Sequence, residues 1–324
     1  MKAFIVLKHL QVQNANAVSG LTWGFPAITH FLGFSHALSR FVQEQHRVTL
    51  GGCAVICHQH EVQACQPSGY GEYVFALTRN PLTKEGNTAP FNEEGRVHLD
   101  ISLVIECDFS INAIDFDTDD DQQDQRLFEQ QLSDKILTMR LAGGTLLDVG
   151  RVQYLPLSNI PEQREKVFRR LMLSLLPGFL LVERRELLQE HFDVLRQQQP
   201  DAELLDAWLD FSALKYSAQT QSEENVTPAP DMPAEWVRVD KPRQGWLVPI
   251  MTGYKAISPL YEAGEVTHTR DSQTPFRFAE STYSIGQWLS PHRVKDIRHI
   301  FWHYQHKEDW YLCQNTYQLP VEIN

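Results

Sequence analysis

Between Val97 and Ile105 every second residue is apolar, as Val97, Leu99, Ile101, Leu103 and Ile105. That period of two is the signature of a strand with one face on a core and one face open. The spacing predicts partners for it at residues 3–12, at 48–65 through Val48, Leu50, Ala54 and Ile56, and at 73–78. A helix is predicted from Pro26, which suits a first turn because its missing N–H has no partner to lose there, to about Gln45. Ile28, Phe31, Leu32, Phe34, Leu38 and Phe41 mark its buried side. The order strand, helix, three strands, helix around an apolar-faced sheet predicts an α+β fold of the RRM or ferredoxin-like kind.

This core is expected to fill residues 1–150, with a projecting hairpin, or thumb, at about Arg79–Arg96, where two prolines and two glycines interrupt any regular pattern. A further helix is predicted from Gln125 to Leu141, stopping at Gly143-Gly144. Residues 151–216 read as a helical segment, broken at Pro177-Gly178, and 217–235, rich in Ser, Thr, Pro, Glu and Gln, as a mobile loop. Residues 236–324 are expected to complete the core through short strands and a helix near Pro291–Tyr304, and to carry a partner surface.

The net charge is −12, which opposes nucleic-acid binding in general. Residues 101–135 alone hold ten acidic and two basic side chains, so most of the excess is local. A subunit that holds RNA inside an assembly needs no basic field of its own. No run of about 20 apolar residues is present to span a bilayer, and the start reads as a first strand rather than a signal peptide. A cytoplasmic protein without membrane contact is expected. Its five cysteines are expected to stay reduced.

Cys53, Cys57, His58 and His60 are zinc-type ligands. On a regular strand, however, the cysteines face away from the histidines, and no metal or other cofactor is expected. Asp115-x-Asp117-x-Asp119 opens like a calcium loop but lacks its glycine and terminal glutamate. No phosphate loop, nucleophile elbow or GxGxxG follows a strand. His58, His60 and Lys84 are the candidate acid–base side chains.

Asn14 to Pro26, with Phe31-Leu32-Gly33-Phe34-Ser35-His36-Ala37-Leu38, resembles the Csy-type RAMP (Cas five-like) subunit of type I-F CRISPR surveillance complexes. Further matching blocks are Leu77 to Leu82, Glu93 to Leu99, Met139 to Gly144, Leu176 to Phe179, Gly245 to Ile250, Ser258 to Tyr261 and Trp288 to Val294. The resemblance implies an RRM-like RAMP core with a thumb and a non-catalytic role; the alternative it leaves is a RAMP-type endoribonuclease that processes repeat RNA, with His58, His60 and Lys84 as acid and base. It implies binding of the crRNA 5′ handle together with the large subunit, beside the terminal backbone subunit, in a complex that engages target DNA. Under it, Asn14 and Asn16 read base edges, Arg79, Asn80, Lys84 and Arg96 lie on the thumb, and Arg140 with Gly143 and Gly144 offers a phosphate nest. Trp23 serves either as core or as a stacking platform, and Arg293 meets either RNA or the large subunit.

Overall fold

The alternating segment is one strand, Arg96–Phe109 (β3), lying between Ala3–Asn16 (β1) and Val48–Val62 (β2) in antiparallel ladders. The computed structural model describes residues 3–109, 119–220, 234–269 and 271–317. Seven more strands extend the sheet: Arg140–Leu141 (β4), Gly144–Pro156 (β5), Phe179–Glu183 (β6), Leu247–Ala256 (β7), Ala279–Leu289 (β8), His303–Lys307 (β9) and Trp310–Gln314 (β10). Their order is β4-β5-β1-β3-β2-β6-β8-β7-β10-β9, antiparallel throughout. The architecture is α+β.

The helices Ile28–His46 (α1) and Asp119–Leu137 (α2) cover one face. Ile5, Leu7, Val55 and the five alternating residues of β3 are buried there against Phe31, Leu38, Phe128 and Leu132. Each such side chain contributes about 1.5–3 kcal/mol on leaving water. On the other face Pro161–Ser174 (α3) packs Leu171, Met172 and Leu175 over Phe4, Val6, Ile56 and Val104. The helix covers only the β1 N-terminal half of that face. Beyond it Lys8, His9, Gln11, His98 and Asp100 stay partly or fully exposed. Arg185–Gln198 (α4) and Leu204–Ser212 (α5) pack Leu188, Trp208 and Phe211 on Leu247 and Ile285 at the β7–β8 side.

Several elements depart from expectation for visible reasons. The predicted helix to Leu141 ends at Leu137, because Ala142 (φ 50°) and Gly143 (φ 76°) close a two-residue hairpin turn with both residues left-handed. Gly143-Gly144 is thus a strand turn and not a helix end. The helical segment expected over 151–216 contains the end of β5 and all of β6. Leu180 and Val182 of β6 face one core and Leu181 the other, so its continuous apolar run belongs to a strand buried on both sides. The helix expected near Pro291–Tyr304 is two single turns, Pro291–Arg293 and Ile297–His299, followed by β9. Of the expected mobile loop, 217–220 and 234–235 lie in a hairpin pairing Tyr216–Thr220 with Ala234–Arg238, and 221–233 lie outside the described residues. Asp115 and Asp117 of the calcium-like run also lie outside them. Among the described residues no helix is long and apolar enough to cross a membrane.

A half-buried ion pair joins the C-terminal hairpin to the central strands. His303 Nε2 lies 2.6 Å from Glu106 Oε2, which also accepts the Gly52 N–H at 2.8 Å. Burial works to raise the Glu106 carboxyl, but the bonds from His303 and Gly52 outweigh it and hold it below the usual range. The Glu106 hydrogen bond raises the His303 imidazole against its burial. The carboxylate's contribution is therefore present above its ordinary value of 4.5 and lost as pH falls through the lower folded value. The imidazolium's is present below 6.5 and lost as pH rises through the higher folded value. Urea midpoints are expected to fall between pH 6 and pH 8.5 more steeply in the parent than in His303→Ala. Parallel pH profiles would refute a coupled pair.

Candidate nucleic-acid interface

The C-terminal end of β1 gathers residues from three segments. Asn14 (φ 55°) donates its N–H to His98 Nδ1 at 3.2 Å, and its carbonyl accepts from Arg96 Nη1 at 3.4 Å. Asn16 donates its N–H to the Ala142 carbonyl at 2.8 Å, tying the β4–β5 turn to the same strand. Arg140 is exposed and donates to the Gly143 carbonyl at 3.3 Å. The fold thus brings together Asn14, Asn16, Arg96, Arg140, Gly143 and Gly144.

Their capacities differ. The Asn16 amide is committed, donating to the Val18 carbonyl at 2.9 Å and accepting the Val18 N–H at 3.0 Å. Both of its polar ends brace a turn, which leaves edge readout to the exposed Asn14. Arg96 donates from Nε to Glu94 at 2.9 Å, so its charge is locally compensated. A Cβ on Gly144 would stand 2.7 Å from the Gln13 carbonyl oxygen and 2.8 Å from the Ala15 nitrogen, so this glycine is fixed by packing. Around Gly143 nothing lies within 4 Å of an added Cβ, leaving room for a ligand to approach the backbone.

The region expected as a thumb is a hairpin that pairs Leu77–Arg79 with Phe91–Glu93. Asn80 and Lys84 sit in its loop, where Lys84 Nζ lies 3.5 Å from Glu85. Trp23 belongs to a small hairpin, Val18–Ser19 with Thr22–Trp23, directly after β1. Its ring is half exposed and meets Phe75 edge-on, with centroids 5.3 Å apart. Arg293 stands elsewhere. It occupies the turn packed on α3, near Phe4 at the start of β1, and ten residues of strand separate Phe4 from Asn14, roughly 30 Å.

Trp23 also walls an open cavity of about 320 Å³ that residue spacing does not reveal. Its other aromatic walls are Phe25, Phe179, Trp246 and Trp288, with His58 and His60 at the polar side. Phe25 meets Trp288 edge-on at 5.0 Å, and Phe179 meets Trp246 at 4.9 Å. Trp246 and Phe179 keep exposed surface on which a planar group can stack. The volume is at the lower end of ligand sites, and the walls suit an unstacked nucleobase. Gly24 of the cavity wall donates its N–H to the Ala17 carbonyl at 2.9 Å, and Asn16 bonds to Val18, so the cavity rim adjoins the Asn14–Arg140 end of the sheet. The flanking Gly178-Phe179 and Gly245-Trp246 pairs were the available sequence signal.

Of the acid–base candidates, His58 and His60 both line this cavity and Lys84 does not. His58 Nδ1 donates to the Pro177 carbonyl at 2.6 Å, while Nε2 accepts from Ser102 Oγ at 2.7 Å. Burial, with smaller opposition from the Pro177 bond, lowers the His58 imidazole. Ser102 is fully buried and also accepts the His9 N–H at 3.1 Å, so its hydroxyl bridges strands rather than facing solvent. Lys84 is placed on the hairpin loop with Glu85. Cys53 and Cys57 lie in the core on the opposite face from His58, and burial pushes the Cys57 thiol up to about 12.

Comparison with known proteins agrees over nearly the whole chain. Residues 5–313 match the family described as CRISPR-associated protein (Cas_Csy2). The chain is 44% identical over 315 residues to the CRISPR-associated protein Csy2 of Pseudomonas aeruginosa (strain UCBPP-PA14), covering 95% of this chain and 92% of that relative. The aromatic cavity and the sheet end described above therefore belong to a member of the Csy2 family of CRISPR-associated proteins.

Proposed function

We propose that this chain is a non-catalytic subunit of a type I-F CRISPR surveillance complex that binds the 5′ handle of the guide RNA together with the large subunit, beside the terminal backbone subunit. The observation that carries the reading is the continuity of the aromatic cavity with the Asn14–Arg140 end of the sheet. Single-stranded RNA is held by splayed bases stacked on aromatic rings, with phosphates met by cations and edges by amides. Trp23 and Trp246 supply the first, Arg140 the second and Asn14 the third. Binding without cutting is favoured by the bonds that engage both His58 nitrogens and the buried Ser102 hydroxyl within the protein when no other ligand is bound.

A crosslink map of the assembled complex with a photoreactive handle tests this. Crosslinks are expected at the cavity and at the β4–β5 turn, and a handle that never reaches this chain would refute the assignment. Leu21 on the small hairpin and Leu77 and Leu82 on the thumb are exposed apolar side chains, a surface that favours a partner. Co-expression with the large subunit is accordingly expected to give a one-to-one pair in size-exclusion chromatography. A monodisperse monomer that ignores that subunit would count against the proposal.

A further inference from the structure

We propose that His9, His58 and Asp100 form a binding site for one zinc-class divalent metal ion on the open half of the sheet. The three residues come from β1, β2 and β3, which are adjacent strands. One ligand atom from each lies within 4.8 Å of the other two. Two imidazoles and a carboxylate are a donor set that first-row divalent ions accept, with a position left open for water or an anionic oxygen. His58 also lines the aromatic cavity, so the two sites adjoin, but the metal site rests on the placement of its ligand atoms and does not depend on the RNA-binding reading.

The polar groups are already arranged for the task. The Pro177 carbonyl takes the His58 Nδ1 proton at 2.6 Å, which leaves the lone pair on Nε2. An outer-shell bond of this kind fixes the tautomer and the ring direction in metal sites. His9 Nδ1 lies 3.0 and 3.1 Å from the two Asp100 oxygens, with a single proton between them. A metal in place of that proton, at about 2.0–2.1 Å from each atom, needs the pair to open by only a few tenths of an ångström. The His9 and His58 rings are 4.3 Å apart, so one ion can reach both. Binding displaces Ser102 Oγ from His58 Nε2, and that hydroxyl keeps the His9 N–H as a partner.

The backbone departs from regular geometry where the cluster needs it. The β1–β3 register shifts between Leu7 and Leu10, and the β2–β3 register between Cys57 and Gln59. The two irregularities flank Asp100 and Ser102 from opposite sides. His9 is left-handed at φ 53°, a conformation that is unfavourable for a non-glycine residue and is concentrated at functional sites. Leu7 and Leu10 both remain fully buried across the bulge, so the extra residue brings Lys8 and His9 out together on the open face. Lys8 Nζ is drawn 2.7 Å from Ser174 Oγ, and Arg151 stands opposite Lys8 on β5. These two cations oppose an isolated divalent ion. They also favour an anionic oxygen in its open position. The cysteines that make residues 53–60 look zinc-like are on the other face and are not ligands here.

The test is calorimetric titration of the full chain with zinc after chelator treatment and desalting, repeated with cobalt(II) to read the ligand field. The expected result is one ion per chain and a cobalt spectrum of nitrogen and oxygen ligands without thiolate charge transfer. His9→Ala and His58→Ala are expected to weaken binding at least 100-fold. Asp100→Asn, which keeps the side-chain shape and guards against a misfolded variant, should weaken it at least 10-fold with an unchanged circular dichroism spectrum. His60→Ala and Cys53→Ser should bind as the parent does. Absence of binding at micromolar zinc would overturn the proposal. So would a site that survives all three ligand substitutions, or one abolished by Cys53→Ser.

Discussion

Trp302→Ala is expected to destabilise the fold by about 4 kcal/mol, the cost of removing a buried aromatic side chain that its neighbours cannot collapse to replace. Trp302 is fully buried in the principal core. Its backbone exchanges two hydrogen bonds with Cys53, each 2.9 Å, and its Nε1–H donates to the Leu181 carbonyl at 2.9 Å. One residue therefore joins the central strand β2, the neighbouring strand β6 and the hairpin β9–β10. Trp302→Phe retains most of the ring volume and loses the indole donor, so it should cost nearer 1 kcal/mol. Urea unfolding of the three proteins separates the contributions, since the midpoint should fall in the order parent, Phe, Ala. A midpoint unmoved by Trp302→Ala would mean that the C-terminal hairpin does not share the stability of the main sheet.

How much of this was legible in the sequence varied with range. β1, α1, β2 and β3 were readable because each carries its own periodicity, and α1 spans Ile28–His46 against a predicted span from Pro26 to about Gln45. β5 was not, because Gly150 and a register shift opposite Gln11 and Val12 interrupt its alternation. β6 fell in the gap after the break at Pro177-Gly178, because an apolar run buried on both faces has no period to mark it as a strand. Trp302 lay within a predicted helix. Nothing local shows that its backbone pairs with Cys53, almost 250 positions earlier.

The candidate sites divide in the same way. Arg140, Gly143 and Gly144 lie within one hairpin, and the resemblance already pointed to them. The different fates of the two glycines follow from β1 passing beneath only one of them. The aromatic cavity draws on residues 23, 25, 179, 246 and 288, and the His9–His58–Asp100 cluster on three strands and two bulges. Such convergence depends on tertiary register, which a period-two pattern does not encode.

In the assembled complex, Trp23→Ala and Trp246→Ala are each expected to weaken guide-handle binding roughly 10- to 100-fold, since a base stacked on an aromatic ring contributes about 1–3 kcal/mol. Because neither substitution removes charge, the logarithmic dependence of affinity on salt should keep its slope. Arg140→Gln should do the reverse, with a smaller loss and a slope shallower by about 0.7 for one phosphate contact on a single strand. Arg96→Ala should change the slope less than Arg140→Gln, because Glu94 already compensates the Arg96 guanidinium at 2.9 Å. Trp23→Phe is the control for packing, as it preserves a ring against Phe75 while reducing the stacking surface. Filter binding of a labelled handle at four salt concentrations reads affinity and slope together. If both tryptophan variants bind as the parent does while Arg140→Gln does not, the handle passes over the sheet end without entering the cavity. If all three bind normally, this face meets protein and the RNA-binding assignment fails.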